Sequence, residues 1–583
     1  MLVFWIKLQL FSPGKIPFIK LLLLYLLCQN VYLLNNALFS RNLYIFLFSL
    51  LGIVYITGMF VPLMDNDSAH HANIALRMYL TGDYVNLVDY GKDYLDKPHL
   101  HFWLAAFSYK LLGVNTFAYK LPSLLFTIMG TYSTYRLGKA LYTHEVGKLA
   151  ALLTASAFAY ILANNDVRMD AILTASVAIA TWQLVEFIQY KKMMNIAGAA
   201  LGLALGFCTK GHIAVFVPAV AAFFYILYLK DWKLLLNWKW LLLIVLFGLF
   251  ISPVVYCYYL QYNLHPEKIV RGKDHINGVK FILLNQSVER FSGEMGSDAK
   301  NDYFFFLHSF LWAFAPWSIL TYIAIAGRIK TFLQRQEEWL TTGVFLVLLV
   351  VVSLSGFKLP HYLNIVFPAC AVMVASLLLQ KREEIQWVKN IFRLQLFISS
   401  LLLLLAAVIN FWAFPVENHR VMILLVLLLT VFFYFFKTTT LRRIQKTVAV
   451  SVAAMVLCFF LLNANFYPQL LRYQGGNELA AATKETVNPD DVYFWKENYS
   501  SSYNFSTATL RKPFTDSTWK AGKKIWLLYD IRNEEEIKQA GYKIGEKYST
   551  RDYEITKLDL KFVNPLKRDS QCTKMVIAEV SRL

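Results

Sequence analysis

Apolar runs long enough to cross a hydrocarbon core of about 30 Å recur along most of this 583-residue chain. Backbone polar groups inside a bilayer have no water to bond, so such runs are read as helices that satisfy themselves. They lie near residues 43–63, 118–138, 145–163, 170–188, 195–209, 212–229, 238–260, 303–326, 337–356, 361–380, 394–413, 419–437 and 447–466, about thirteen spans in all. Composition agrees: 57% of residues are hydrophobic and 16% charged, with a mean hydropathy of +0.45, whereas soluble domains carry about 25% charged residues. Abundant Phe, Tyr, Leu and Ile, with only 26 Gly and 16 Pro, exclude disorder and collagen.

The net charge of +19 points to orientation rather than to nucleic acid, and no nucleic-acid partner is expected. The basic groups Arg41; Arg136, Lys139 and Lys148; Lys191 and Lys192; Lys230, Lys233 and Lys239; Arg328, Lys330 and Arg335; Lys381, Arg382, Lys389 and Arg393; and Lys437, Arg442, Arg443 and Lys446 fall at every second connection. The positive-inside rule puts them in the cytoplasm. This parity makes residues 97–113 an amphipathic helix at the outer interface instead of a span; residues 18–38, within an N-terminal extension 1–42, read either as an interfacial helix or as a signal-like extension, although the residues before Cys28 are not the small ones that a cleavage site needs.

The transmembrane domain is then 43–466, a mostly α, polytopic fold with outer juxtamembrane helices. Residues 467–583 form a small α/β domain on the outer side, with helices at GNELAAATKETV and NEEEIKQAG and strands at VYFWK, KKIWLLYDI and MVIAEV. This tail holds 19 Lys+Arg against 16 Asp+Glu, so most of the positive excess belongs to the membrane part. Cys28, Cys208, Cys257, Cys370 and Cys458 sit in apolar stretches and Cys572 in a polar one, which is neither a disulfide framework nor a metal spacing.

Charges at membrane depth are costly and face a cavity or a partner. On the outer connections stand Asp65 and Asp67, Asp96 and Lys97, then Asp166, Arg168 and Asp170, then Lys210, Arg290, and Lys358 with His361 and Tyr362. Asp67 and Asp170 are candidate carboxylates. Lys97, Arg168, Lys210, Arg290 and Lys358 suit an anion at headgroup depth, with a lipid-linked phosphate the natural choice. Simpler roles exist: Asp67 and Asp170 as helix caps, and Asp96 and Lys97 as a surface pair of about 0 to 1 kcal/mol. His70, His71, His99 and His101 do not have the i, i+4 spacing of a chelating pair within either doublet.

The segments DSAHHANIALRMYLTGDY and DYLDKPHLHFW, VRMDAILTA, FCTKGHIAVFVP, FAPWS and SGFKLPHYLNIVFP, in this order over about 43–380, resemble glycosyltransferase family 39. This is the GT-C-fold group of polyprenyl-phosphate-sugar transferases that includes the lipid A aminoarabinose transferases and the dolichyl-phosphate-mannose protein mannosyltransferases. The resemblance implies inverting transfer of a sugar from a polyprenyl phosphate, such as undecaprenyl phosphate, to lipid A, a protein hydroxyl or another envelope acceptor. The site would face the periplasm from a multi-pass protein of the cytoplasmic (inner) membrane. By the same motifs, Asp67 is the main catalytic or acceptor-positioning carboxylate and Asp170 a second. Lys97, Lys210, Arg290, Lys358 and Tyr362 bind donor phosphate or shape its cavity; Arg168 joins them, with Asp96 and His361 as secondary candidates.

No cofactor is expected, and a divalent metal has poor support because the family's acidic and His positions hold Ser68, Asp96 and Ser287. The alternative reading is a lipid or solute transporter or flippase, which calls for ionisable residues through the midplane. A scaffold or receptor built on the tail would not need so many spans.

Overall fold

The computed structural model describes residues 40–65, 67–286, 289, 302–515, 518–519 and 524–582. The extension up to residue 39, Ser287 and Arg290 lie outside the described residues. The molecule is a helical membrane bundle carrying a small mixed sheet at its C-terminus.

The count of thirteen spans is corrected. Among the described residues, eight helices are long and apolar enough to cross a membrane: Arg41–Gly58, Asp170–Tyr190, Met193–Lys210, Lys239–Asn263, Pro360–Gln380, Ile385–Ala413, His419–Lys437 and Arg443–Tyr473. A ninth is formed if His144–Ala155 and Phe158–Asn165, bent by 52°, count as one. The remaining apolar runs fall short for identifiable reasons. Ile213–Leu229 and Leu340–Leu354 are shorter. The run at 303–326 breaks into Phe305–Ala313 and Ser318–Lys330 around Pro316, whose imide cannot donate to a helix ladder. Thr116–Leu141 is long but rich in Ser, Thr and Tyr. Apolarity along a sequence reports burial in lipid or in protein alike, which is why the window reading counted all of them.

Two kinds of helix result. Arg443–Leu461 is buried at almost every position and runs through the middle of the main core, against Arg41–Gly58 and Ile385–Ala407. Lys239–Tyr258 and His419–Lys437 bury only a minority of their apolar side chains and leave the rest exposed or half-buried, as helices facing lipid do. Small residues let the inner helices approach closely. A Cβ on Gly202 would lie 2.7 Å from the backbone nitrogen of Ala180, so Met193–Lys210 packs directly on Asp170–Tyr190.

The loop after the first helix holds Asp67–Thr81 and Leu100–Leu112, which pack on each other. The second agrees with the short helix expected at 97–113, and its His101, Phe102, Ala105 and Tyr109 are buried. The C-terminal unit is a four-stranded sheet in the order Val492–Phe494, Ile525–Asp530, Thr573–Arg582, Tyr542–Asp552; the first pairing is parallel and the others antiparallel. The expected helices appear as Gly475–Ala482 and Glu534–Gln539. Sequence reasoning missed the edge strand Tyr542–Asp552, whose mostly polar, half-exposed residues carry no apolar run.

Candidate functional site

Asp170 opens one helix and Lys210 closes the next, and the close packing of these antiparallel helices brings their ends together. Lys210 Nζ donates to Asp170 Oδ1 at 2.8 Å, with side chains only 7% and 5% exposed. Each charge also suits its own helix terminus, an anion at the N-terminus and a cation at the C-terminus. His361 Nε2 is 4.0 Å from Asp170 Oδ2, and Lys210 Nζ lies 5.1 Å from the centre of the Tyr362 ring. Both residues belong to the 3₁₀ turn Pro360–Val366, which packs on Asp170–Tyr190.

A second group sits beside the first. Arg168 Nη1 donates to Asp67 Oδ2 at 3.0 Å and its Nε to Asp166 Oδ2 at 2.6 Å, so one guanidinium joins the first loop to the second. Arg168 and Asp170 interact electrostatically, and His361 interacts with Asp170, Lys210, Arg168 and Asp67. Between Arg168 and Asp170, the fully buried Met169 adopts φ 89°, a left-handed conformation costly for an unbranched side chain. Burial pushes the Asp166 carboxyl up, with Arg168 pulling the other way, and its Oδ1 is buried with no hydrogen-bond partner.

Other sequence-derived candidates are placed differently. Lys97 is half-buried near His71, with which it interacts electrostatically, and its carbonyl accepts from the Tyr258 hydroxyl at 3.4 Å. Asp96 forms an ion pair with Arg271, which also holds Glu289 at 3.0 Å; the simpler reading of Asp96 as the partner of Lys97 had not foreseen Arg271. Lys358 is buried, donates to the Asp302 carbonyl at 2.8 Å and faces the Tyr303 ring at 5.2 Å. Asp67, Arg168, Asp170, Lys210, His361 and Tyr362 thus gather at one end of the bundle, with Lys97 near the first loop and Lys358 on an adjoining turn.

Of the four histidines, His70 pairs with Asp89 at 2.9 Å, His99 Nε2 contacts the Val85 carbonyl at 2.8 Å, and His101 Nε2 the Tyr119 hydroxyl at 3.0 Å. Burial lowers His99 and His101 to about 4, leaving both neutral near pH 7. Among the described residues no group of three or more His, Cys, Asp or Glu is arranged to hold a metal ion.

Sequence reasoning overlooked Lys120, and it noted Asp166 and Asp65 without giving either a role. Asp166 shares Arg168 with Asp67. Lys120, fully buried, donates to the carbonyls of Gly58 at 3.0 Å and Val61 at 2.7 Å, just ahead of the acidic loop. Its lone charge near the start of an apolar run was the available signal. Asp65 was noted, but its partners lie in the C-terminal domain.

Residues 96–257 match the sequence model of the family described as dolichyl-phosphate-mannose-protein mannosyltransferase. An undecaprenyl phosphate-alpha-4-amino-4-deoxy-L-arabinose arabinosyl transferase of Pseudomonas aeruginosa is 26% identical over 332 residues, 56% of each chain. A transferase of the same name from Pseudomonas fluorescens is 24% identical over 340 residues, 56% of this chain and 54% of that one. The chain thus spans little more than half the length of the curated relatives it matches. In three dimensions, ArnT from Cupriavidus metallidurans bound to undecaprenyl phosphate superposes with a TM-score of 0.70 at 15% identity, covering 92% of this chain and 97% of that one. The Archaeoglobus fulgidus oligosaccharyltransferase gives 0.50 at 10% identity, covering 86% and 71%. The fold is the GT-C fold, shared with ArnT, and the chain is similar in sequence to the protein mannosyltransferase family over residues 96–257.

Proposed function

We propose that this chain is an integral membrane glycosyltransferase that moves a sugar from a polyprenyl phosphate, undecaprenyl phosphate in bacteria, to a hydroxyl on an envelope acceptor such as lipid A or a protein, with inversion. The observation that carries this reading is the joining of Asp67 and Asp170 to Arg168 and Lys210 at one end of the bundle. In this reading 43–466 is the transferase domain in the inner membrane, and the site and the 467–583 domain face the periplasm. The likeness to a structure bound to undecaprenyl phosphate supports the donor class.

The chemistry follows from charge. The acceptor oxygen attacks the anomeric carbon from the face opposite the phosphate and gives its proton to Asp67, while the bond to phosphate oxygen breaks and its electron pair leaves with the polyprenyl phosphate. The donor phosphodiester carries one negative charge and the departing monoester approaches two. Lys210, Lys358, Lys97, Arg168 and Arg290, with the Tyr362 hydroxyl, therefore stabilise the departing group more than the bound donor, which is what accelerates the step. Asp170 and Asp166 hold Lys210 and Arg168 in place.

Transport is the other reading, but the candidate ionisable groups gather at one end of the helices instead of along a path. The test uses purified full-length protein, radiolabelled undecaprenyl-phosphate sugars and membrane extract. Wild type should transfer label and Asp67→Ala should not, while keeping its unfolding temperature. Lys210→Ala and Lys358→Ala should weaken donor binding. Undiminished transfer by Asp67→Ala removes it from the reaction, and label crossing vesicles without transfer favours the transporter.

A further inference from the structure

The C-terminal domain does more than stand beside the site: it holds the backbone from which Asp67 projects. Gln474, buried at the end of the last long helix, accepts from the Asp65 amide at 2.6 Å through Oε1 and donates Nε2 to the Leu63 carbonyl at 2.9 Å. The Asp65 carboxylate in turn accepts from the Ser502 amide at 2.8 Å and the Ser502 hydroxyl at 2.7 Å. Ser501, next along, accepts from Asn73 at 2.9 Å through its carbonyl and shares a hydrogen bond with the Tyr90 hydroxyl at 2.8 Å.

The short helix Ser501–Ser506, which carries Ser502, reaches the other half of the site. Phe505 packs against Tyr109 and Tyr119, and the Tyr119 hydroxyl donates to the Val167 carbonyl at 3.1 Å, one residue before Arg168. Close approach is built in: a Cβ on Gly476 would collide with the hydroxyls of Ser500 and Ser502. Four hydrogen bonds therefore fix the two residues Leu63 and Asp65 ahead of Asp67, and an aromatic contact braces the segment carrying Arg168. Fixing both partners of the Asp67–Arg168 pair from one rigid element is the geometry a positioning clamp requires.

We propose that Gln474 and Ser502 of the C-terminal domain, acting through Asp65, are positioning residues that set the Asp67 carboxylate for the transfer step. The proposal rests on the glycosyltransferase reading for its kinetic consequence, and on the contacts alone for its structural one. Full-length wild type, Ser502→Ala, Asp65→Asn and a control, Ser506→Ala, are compared in two assays. The first is amide hydrogen exchange over residues 63 to 69, which reads local opening. The second is transfer kinetics with undecaprenyl-phosphate sugar.

Ser502→Ala and Asp65→Asn should raise exchange at least about tenfold and lower kcat about 10- to 100-fold with donor KM nearly unchanged. Ser506→Ala, on the same helix but bonded only within the domain to Asn477, should change neither. Unchanged exchange in both loop variants overturns the clamp, as does raised exchange with kcat intact, or a loss confined to KM. A wild type that transfers no sugar refutes the functional reading, and the exchange comparison then supports or overturns the clamp by itself.

Discussion

Breaking the Lys210–Asp170 pair should cost far more from one side than from both. At 2.8 Å, two unit charges attract by about 6 kcal/mol at an effective dielectric of about 20. Burial of both groups consumes most of that gain, so the pair's net contribution is small. Removing one member is another matter, because the survivor stays buried without its counter-charge, at about 3 to 5 kcal/mol. The two single variants should differ. Lys210→Met leaves Asp170 with His361 at 4.0 Å and the nearby charge of Arg168, which places it at the lower end of that range. Asp170→Leu leaves Lys210 against the Tyr362 ring at 5.1 Å, a weaker partner, which places it at the upper end.

The double variant, with two apolar side chains of similar volume, should return to within about 1 kcal/mol of wild type while remaining inactive. Reversible unfolding in mixed micelles of all four proteins gives the coupling energy directly. Single-variant costs below about 1 kcal/mol, the value for a solvent-exposed pair, would refute the argument. So would a double variant that costs the sum of the singles.

Other outcomes follow from particular contacts. Burial pushes the Asp65 carboxyl up to about 6, against the lowering by Ser502. The folded chain therefore binds that proton more tightly than the unfolded one, and stability should fall as pH rises from about 4 to about 6, by about 3 kcal/mol in full. Asp65→Asn should flatten that slope in a pH series of unfolding curves, and an unaltered slope would contradict it. Lys120→Met strips the Gly58 and Val61 carbonyls of a buried donor and should cost about 2 to 4 kcal/mol, measured by the same unfolding. Gly147→Ala drives a Cβ into the Tyr135 carbonyl oxygen and should cost about 1 to 3 kcal/mol. Gly52→Ala, with open space around it, should be neutral or stabilising by up to about 1 kcal/mol.

The candidate site was readable where chemistry stood out against its background. Asp170, Lys210 and Arg168 are charges flanking apolar runs, and their cost at membrane depth drew attention to them before any geometry was known. Gln474 and Ser502 lie in a polar tail where such residues are ordinary, so nothing local set them apart. Asp166 looked like one more loop acid until Arg168 was found between it and Asp67. The span count failed for a related reason. The break around Pro316, the bend between Ala155 and Phe158 and the Ser, Thr and Tyr residues scattered along Thr116–Leu141 are local interruptions that a wide hydropathy window averages away.

The helix Arg443–Tyr473 fills the middle of the bundle, and its Asn463 donates to the Val54 carbonyl at 3.0 Å in the first helix. Those two partners lie 409 residues apart along the chain. Until Arg443–Leu461 is in place, Arg41–Gly58 lacks a neighbour that it packs against in the folded bundle, although hundreds of residues separate the two. The bundle closes only when its last helix arrives, and the clamp on Asp65 follows directly behind on the same strand of chain. A chain cut ahead of residue 443 thus lacks both the buried central helix and the Gln474 and Ser502 contacts to Asp65, so bundle closure and the support of that loop are lost together.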